Sequence, residues 1–278
     1  MNLRVEPVKP AVGALVYVDD RSALKDDTVA QQCLELIEKH GAIVFPRIGL
    51  TDEEQLAFTD KLGARVNFAN TAPGADKSGV YTITLDPKVN NEPEYVLGTF
   101  FWHMDGITLA DIPPPKASVL TCRRTAPKGG QTEFASTYAA YEALPEDEKA
   151  DLEGLRVIHS VAAAVREVAA PEEIINPAKR NLAAEHPLVW RHKSGRKSLL
   201  IGYTADTVVG KSKAEGRALL ARLLEWTAQP AFTYRHKWQE GDLVIWDNCG
   251  ALHRVLPYAM DSGRTMRRTS VAGVEVVS

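Results

Sequence analysis

The stretch FWHMDGITLADIPPP, residues 101–115, carries a histidine and a carboxylate two apart inside an apolar segment. Side chains alternate across an extended strand, so residues i and i+2 share a face. His103 and Asp105 then point one way and Met104 the other. Two readings compete: a polar pair on the wet face of a strand, or two ligands aimed at one metal. The spacing alone is weak, because it arises by chance in many chains. Its surroundings favour the metal, since an unsatisfied carboxylate is costly to bury and a metal is one way to satisfy it. One further histidine would complete the two-histidine, one-carboxylate face diagnostic of non-haem iron oxygenases. His253, in WDNCGALHRV, is the candidate. The cluster RTMRR at 264–268 adds Arg264 and Arg268, four apart and so on one face of a regular strand.

Elements must carry these residues to one place. AVGALVYV (11–18) reads as an early strand, DDTVAQQCLELIEKHG (26–41) as a helix capped by Asp26 or Asp27, and AIVF (42–45) as a short buried strand. TDEEQLAFTDKLG (51–63) is a second helix, with Thr51 and Glu54 as a capping box. From about 64 to 98 the composition turns to Asn, Gly, Pro, Asp and Lys around VYTITL (80–85). A long loop directly before the His103 motif is expected to serve as a lid. KASVLTCRR (116–124) alternates like a strand, PKGGQT (127–132) is a turn, and FASTYAAYEAL (134–144) leads into a helix. SKAEGRALLARLLEWTAQ (212–229) is a helix with a Ser212/Glu215 capping box. FTYRHKW (232–238) and LVIWD (243–247), joined through Gly241–Asp242, read as a β-hairpin, and 264–277 has strand character. The sum is a mainly β chain with peripheral helices. It has no GxGxxG βαβ unit and no phosphate-binding GxxxxGK[ST] loop.

Composition narrows the partners. Lys and Arg number 33 against 36 Asp and Glu, a formal net charge of −3 with no long run of one sign. That argues against nucleic acid, which calls for a basic stripe. No run of apolar residues is long enough to suggest a membrane span, and no secretory h-region follows the first residues. Cys33, Cys122 and Cys249 are few and widely spaced, so neither a disulfide framework nor a structural zinc site is expected. A reducing cytoplasm fits best. Length and composition suit one domain over 1–278, with the lid as an insertion at about 64–99.

FWHMD, PKGGQTEF, GDLVIWDNCGALHR and the Arg264–Arg268 cluster occur in one order, after HGAIVFPRIGLTDEEQLAFTDKLG near the start. Over nearly its whole length the chain resembles the taurine dioxygenase and 2,4-dichlorophenoxyacetate dioxygenase family of Fe(II)- and 2-oxoglutarate-dependent oxygenases. The resemblance implies a double-stranded β-helix (jelly-roll) core with the metal in the barrel mouth. It implies His103, Asp105 and His253 as iron ligands, with 2-oxoglutarate and O2 as co-substrates. Arg264 matches the arginine that grips the far carboxylate of 2-oxoglutarate, and Thr132 the hydroxyl that assists it. The residue before that threonine, often Asp in the family, is Gln131. Arg268 matches the arginine that meets the substrate's anionic group, although a bulge would put Arg267 there instead. Asp105 favours hydroxylation over halogenation.

Trp246 is either a core aromatic or a wall near the metal, and Asn248 a residue that orients its turn. Thr99 falls where taurine-type enzymes carry a substrate-touching asparagine, and this departure weakens the taurine reading. Tyr81, Tyr95 and Phe100 are candidates for an apolar wall. The expected substrate is a small carboxylate with a bulky apolar part, aryloxyalkanoate-like. The alternatives are a sulfonate or sulfate-ester oxygenase and, in another class, a non-catalytic jelly-roll metal-binding protein. Family resemblance also suggests a homo-oligomer. Arg254 and Arg267 read as solvated surface, and His40, His159, His186, His192 and His236 as surface or satisfied core.

Overall fold

The structure is a computed structural model that describes residues 3–66, 79–90, 98–168 and 181–278. Its largest sheet has seven strands, in the order β1 (Arg4–Pro7), β2 (Ala14–Tyr17), β3 (Ala42–Phe45), β13 (Leu243–Asp247), β5 (Ala117–Arg124), β15 (Thr265–Val271) and β4 (Tyr81–Ile83). β2 and β3 run parallel, and the other neighbours are antiparallel. A second sheet pairs β6 (Thr132–Ser136) with β12 (Thr233–His236) on one side and β14 (Ala251–Val255) on the other. β7 (Arg156–Ser160) lies between β8 (Ala183–Pro187) and β11 (Ala205–Val208), and β9 (Val189–Arg191) pairs with β10 (Lys197–Leu199). Helices α1 (Asp27–His40), α2 (Asp52–Leu62), α3 (Thr137–Glu142), α4 (Glu146–Leu152), α5 (Val161–Val168) and α6 (Lys213–Thr227), with short 3-10 helices at Arg21–Lys25 and Met260–Ser262, complete the described elements.

Alternation explains why the large sheet is buried on both faces. On β3 and β13, Ile43, Phe45, Leu243 and Ile245 pack under Val29, Cys33 and Ile37 of α1 and Phe58 of α2. The intervening Ala42, Val44, Val244 and Trp246 face the other way, onto Phe134 and Tyr234 of the second sheet. The space between the two sheets is therefore lined by alternate residues of β13, β5, β15 and β6. Sequence reading found much of this frame. Asp26 caps α1, and both capping boxes, Thr51/Glu54 and Ser212/Glu215, are formed.

Three expectations are corrected. FTYRHKW and LVIWD do not form a hairpin: β12 pairs with β6, while β13 lies between β3 and β5 in the large sheet. A continuous apolar strand such as LVIWD needs cover on both faces, and the sheet centre supplies it. The turn read over 127–132 ends in a strand that sequence did not show, because Thr132–Ser136 pairs on both edges, and the helix into which 134–144 leads begins at Thr137. Part of the expected lid is framework, since β4 extends the large sheet along β15. Tyr95 and much of 64–99 lie outside the described residues.

Candidate active site

His103 and His253 are brought together by the backbone. Each donates its N–H to the other's carbonyl, at 3.1 and 3.0 Å, in an isolated antiparallel bridge between the 101–115 loop and β14. The imidazole centroids are 4.0 Å apart. Asp105 Oδ2 lies 3.6 Å from His253 Nε2. One ligand atom from each of His103, Asp105 and His253 falls within 4.8 Å of the others, so the three could hold a single ion. His103 Nδ1–H donates to the Phe101 carbonyl at 2.8 Å, which orients the ring and leaves Nε2 as the free donor atom.

Electrostatics prepare the same three residues. Burial pushes both imidazoles below the usual histidine range, so they are neutral near pH 7. Burial also pushes the Asp105 carboxyl up, but the Arg268 guanidinium beside it outweighs this and holds the group ionised. Two neutral imidazoles and a carboxylate are the protonation states a metal needs.

Asn248 reaches the Asp105 backbone from the turn after β13. Its Oδ1 accepts the Asp105 N–H at 3.0 Å, and its Nδ2 donates to the carbonyls of Asp105 at 3.1 Å and Pro115 at 3.0 Å. Trp246, on the inner face of β13, stands 4.7 Å ring to ring from His253, so it is both core and site wall.

The arginine cluster divides three ways. Arg264, just before β15, is 3% exposed and packs over the Tyr258 ring at 4.8 Å. Among the described residues it meets no carboxylate, and burial lowers its pKa. The turn that leads to Thr132 lies against it. A Cβ on Gly130 would stand 2.9 Å from Arg264 Cδ, and Gly130 has φ +74°, so glycine is required there on two counts. Thr132 sits opposite Val255 in the β6–β14 register, two residues from the Phe134–His253 pair and on the same face. Its Oγ1 accepts the Trp238 indole N–H at 2.9 Å, which leaves the hydroxyl proton to donate.

Arg268 faces inward. It donates to Asp105 Oδ2, donates to Ser118 Oγ at 2.8 Å, and lies 5.6 Å from the Trp246 ring. Arg267 points to the opposite face, where it pairs with Asp52 at 2.7 Å and hydrogen-bonds Thr82. The β15 bulge lies at Thr265/Met266, upstream of both, so the alternation there is undisturbed. Arg267 is thus a structural ion-pair partner rather than solvated surface. Arg254 also departs from that expectation, pairing with the buried Glu133 at 2.7 Å and covering the Trp102 ring.

Thr99 contributes its carbonyl, which accepts the Val255 N–H at 2.9 Å. Phe100 packs edge-on against Tyr258. Tyr81 is buried and its hydroxyl accepts from Asn90. Tyr203 went unnoticed in the sequence, although its ring stacks on Phe101 at 6.0 Å and meets His103 edge-on at 5.8 Å. It lies in a region without motif, and its N–H reaches the site only through the Trp102 carbonyl. His40, His159, His186, His192 and His236 are all buried, and Cys33, Cys122 and Cys249 are free and buried. Among the described residues no helix is long and apolar enough to cross a membrane.

Comparison with known proteins agrees with this geometry. Residues 4–270 match the model of the taurine catabolism dioxygenase TauD, TfdA family, and the chain belongs to that family. It is 35% identical, over the full length of both proteins, to the alpha-ketoglutarate-dependent 2,4-dichlorophenoxyacetate dioxygenase of Cupriavidus pinatubonensis. It is 31% identical to an alkylsulfatase of Acinetobacter baylyi, over 98% of this chain and 86% of that one. The crystal structure of AAD-2 in complex with Mn(II) and N-oxalylglycine superposes with a TM-score of 0.83 at 30% identity, covering 100% of each chain. The protein is an Fe(II)- and 2-oxoglutarate-dependent dioxygenase, which sets aside a non-catalytic metal-binding role.

Proposed function

We propose that His103, Asp105 and His253 hold the Fe(II), that Thr132 and Arg264 hold the far carboxylate of 2-oxoglutarate, and that Arg268 meets the acid group of a small organic substrate. The observation that carries this reading is Arg264, a guanidinium 3% exposed with no carboxylate near it among the described residues. A buried charge left uncompensated is expensive. A dicarboxylate lying between Arg264 and the three metal-binding side chains offsets that cost, and the planar guanidinium grips it through two parallel hydrogen bonds. Thr132, its acceptor role filled by Trp238, adds a donor.

Bound iron, with 2-oxoglutarate and O2, supplies an oxidant that hydroxylates a substrate C–H while the co-substrate leaves as succinate and CO2. The chain's own residues supply binding, orientation and dryness. Arg268 fixes the acid end of the substrate beside the metal ligands, within the reach its contact with Asp105 indicates. Trp246 closes the wall next to His253, and the Thr99 carbonyl fastens the segment before His103 to Val255 of β14. Water kept from the site cannot compete for the oxidant.

The substrate proposed is an aryloxyalkanoate-like carboxylate, or another carboxylate with an apolar part. Two features support it: the full-length similarity to a 2,4-dichlorophenoxyacetate dioxygenase and the aromatic lining of Trp246, Phe101 and Tyr203. Hydroxylation of the carbon bearing the ether oxygen gives a hemiacetal, which collapses with C–O cleavage. A sulfonate or sulfate ester is the second reading, favoured by the similarity to an alkylsulfatase and by a guanidinium that accepts either anion. We further propose a single jelly-roll domain over 1–278 closed by the two facing sheets, a substrate lid within 64–99 apart from the framework strand β4, and a cytoplasmic homo-oligomer. The three free, buried cysteines are in keeping with a reducing compartment.

An anaerobic titration with Fe(II) and 2-oxoglutarate tests the core of this reading. A weak visible charge-transfer band is expected in the wild type and absent in His103→Ala. The same cuvette screens acids, because the band shifts when the right one binds. Phenol release from an aryloxyacetate supports the first substrate class. Aldehyde and sulfate release from an alkyl sulfate, without aryloxyacetate turnover, moves the second to the front.

A further inference from the structure

Asn248 is fully buried, carries no charge and touches none of the three metal-binding side chains. It nevertheless helps to join the two halves of the site. Asp105 belongs to the 101–115 loop and His253 to β14, so their separation depends on what ties that loop to the β13–β14 turn. The His103–His253 bridge is one tie. The Asp247–Cys249 turn is another, and it grips the loop at both ends.

At the start of the loop, the Asn248 amide brackets Asp105 on both backbone polar groups, accepting its N–H and donating to its carbonyl. At the end of the loop, Asn248 Nδ2 donates to the Pro115 carbonyl, and its backbone N–H donates to the Lys116 carbonyl at 3.0 Å. Asp247, alongside, anchors the turn itself. Its Oδ2 pairs with Lys116 Nζ at 3.2 Å and accepts from the Tyr138 hydroxyl, and its Oδ1 accepts the Cys249 N–H at 2.9 Å. The orientation of the Asn248 amide is fixed by this pattern, because a flipped amide would set its NH2 against an N–H and its oxygen against two carbonyls.

We propose that Asn248 is a positioning residue for the metal site. It fixes the backbone of Asp105, and so the direction of its carboxylate, before the metal arrives. Residues that orient a ligand without touching the metal typically account for about 10- to 100-fold in metal affinity. Asparagine is the side chain that serves here. Aspartate has the same shape but would face the Asp105 and Pro115 carbonyls with an acceptor, and alanine would leave the Asp105 N–H and carbonyl without their partners and the Pro115 carbonyl with the weaker Cys249 thiol. The inference rests on the assignment of His103, Asp105 and His253 as the ligands.

The test reads metal binding directly, with Co(II) added to metal-free protein and followed by calorimetry and visible absorption. Asn248→Asp is expected to weaken Co(II) binding about 10- to 100-fold and to change the cobalt band. Phe58→Ala, a core truncation on α2 in a cluster that holds no residue of the 101–115 loop, serves as the folding control. It is expected to lower Tm by at least as much as Asn248→Asp and to bind Co(II) as the wild type does. Wild-type affinity and spectrum in Asn248→Asp would overturn the proposal. So would a loss of affinity in both variants in step with their loss of Tm, since Asn248 would then be structural. If the substitution prevents folding, the wild type decides. Slow exchange of the Asn248 side-chain amide protons in metal-free protein is expected, and fast exchange overturns the preformed staple. His103→Ala separates the two layers: Co(II) binding unchanged by that substitution would sink the ligand assignment itself.

Discussion

The protein holds two pairs of facing histidines, and they behave as opposites. His103 and His253 stand 4.0 Å apart, share Asp105 and have Arg268 beside them. His159 and His186 stand 6.1 Å apart on the neighbouring strands β7 and β8, with no carboxylate among their described partners. His159 Nδ1 is satisfied by Thr204 Oγ1 at 2.8 Å, and His186 Nε2 by the Ile107 carbonyl at 2.9 Å. Burial pushes both of the latter down, His159 to about 3. Neutral imidazole and close spacing are therefore common to both pairs. What separates them is convergence: the first pair lies against a carboxylate held ionised, and the second spends His159 Nδ1 and His186 Nε2 on the fold with no carboxylate beside them.

The sharpest way to break this comparison is to remove one histidine from each pair. His253→Ala is expected to abolish metal-dependent succinate formation and Co(II) binding. His186→Ala is expected to lower Tm while binding Co(II) like the wild type. Loss of metal binding in both variants would erase the distinction.

Next in size is the anion clamp. Arg264→Ala should raise the 2-oxoglutarate requirement by an amount equivalent to roughly 2–5 kcal/mol, read from the co-substrate KM. Lysine at the position should recover only part of it, since it lacks the planar fork. Arg268→Ala should instead raise the KM for the organic acid and leave that for 2-oxoglutarate in place. An Arg264→Ala enzyme with wild-type 2-oxoglutarate KM would mean the buried guanidinium is structural.

The smallest effect lies with the fold-serving histidines. Burial holds His159 at about 3 and His192 at about 4, while both return to about 6.5 on unfolding. Below pH 6.5 the unfolded chain takes up protons that the folded one refuses. Stability is thus complete above about pH 6.5 and falls as the pH drops toward 4. Each pH unit of that descent costs up to about 1.4 kcal/mol per histidine. Urea midpoints at pH 7, 6 and 5 should fall in order, and His159→Gln should flatten the slope. An unchanged slope would show that His159 does not contribute.

Sequence alone determined whatever depends on neighbours along the chain. The capping boxes at Thr51/Glu54 and Ser212/Glu215 are four-residue events, and both formed as read. The alternation of β5 needed only the period of a strand, whereas His103 and Asp105, read as strand neighbours, lie in a loop joined to β14 by an isolated bridge. The choice between Arg267 and Arg268 also needed more than that period. It waited on the β15 register, which sends Arg267 to Asp52 and Arg268 to Asp105. Strand partners were likewise a tertiary decision. β12 and β13 are close in sequence and carry hairpin signals, yet Tyr234 pairs with Phe134 and Val244 with Val44 and Leu120. A strand's own residues say which faces must be covered but not by what, and the cover is chosen by the burial available across the whole molecule. Asn248 shows the same division. Its type and place in the turn were plain in the sequence, but its hold on Asp105, 143 residues away, exists only once the sheets have brought the two together.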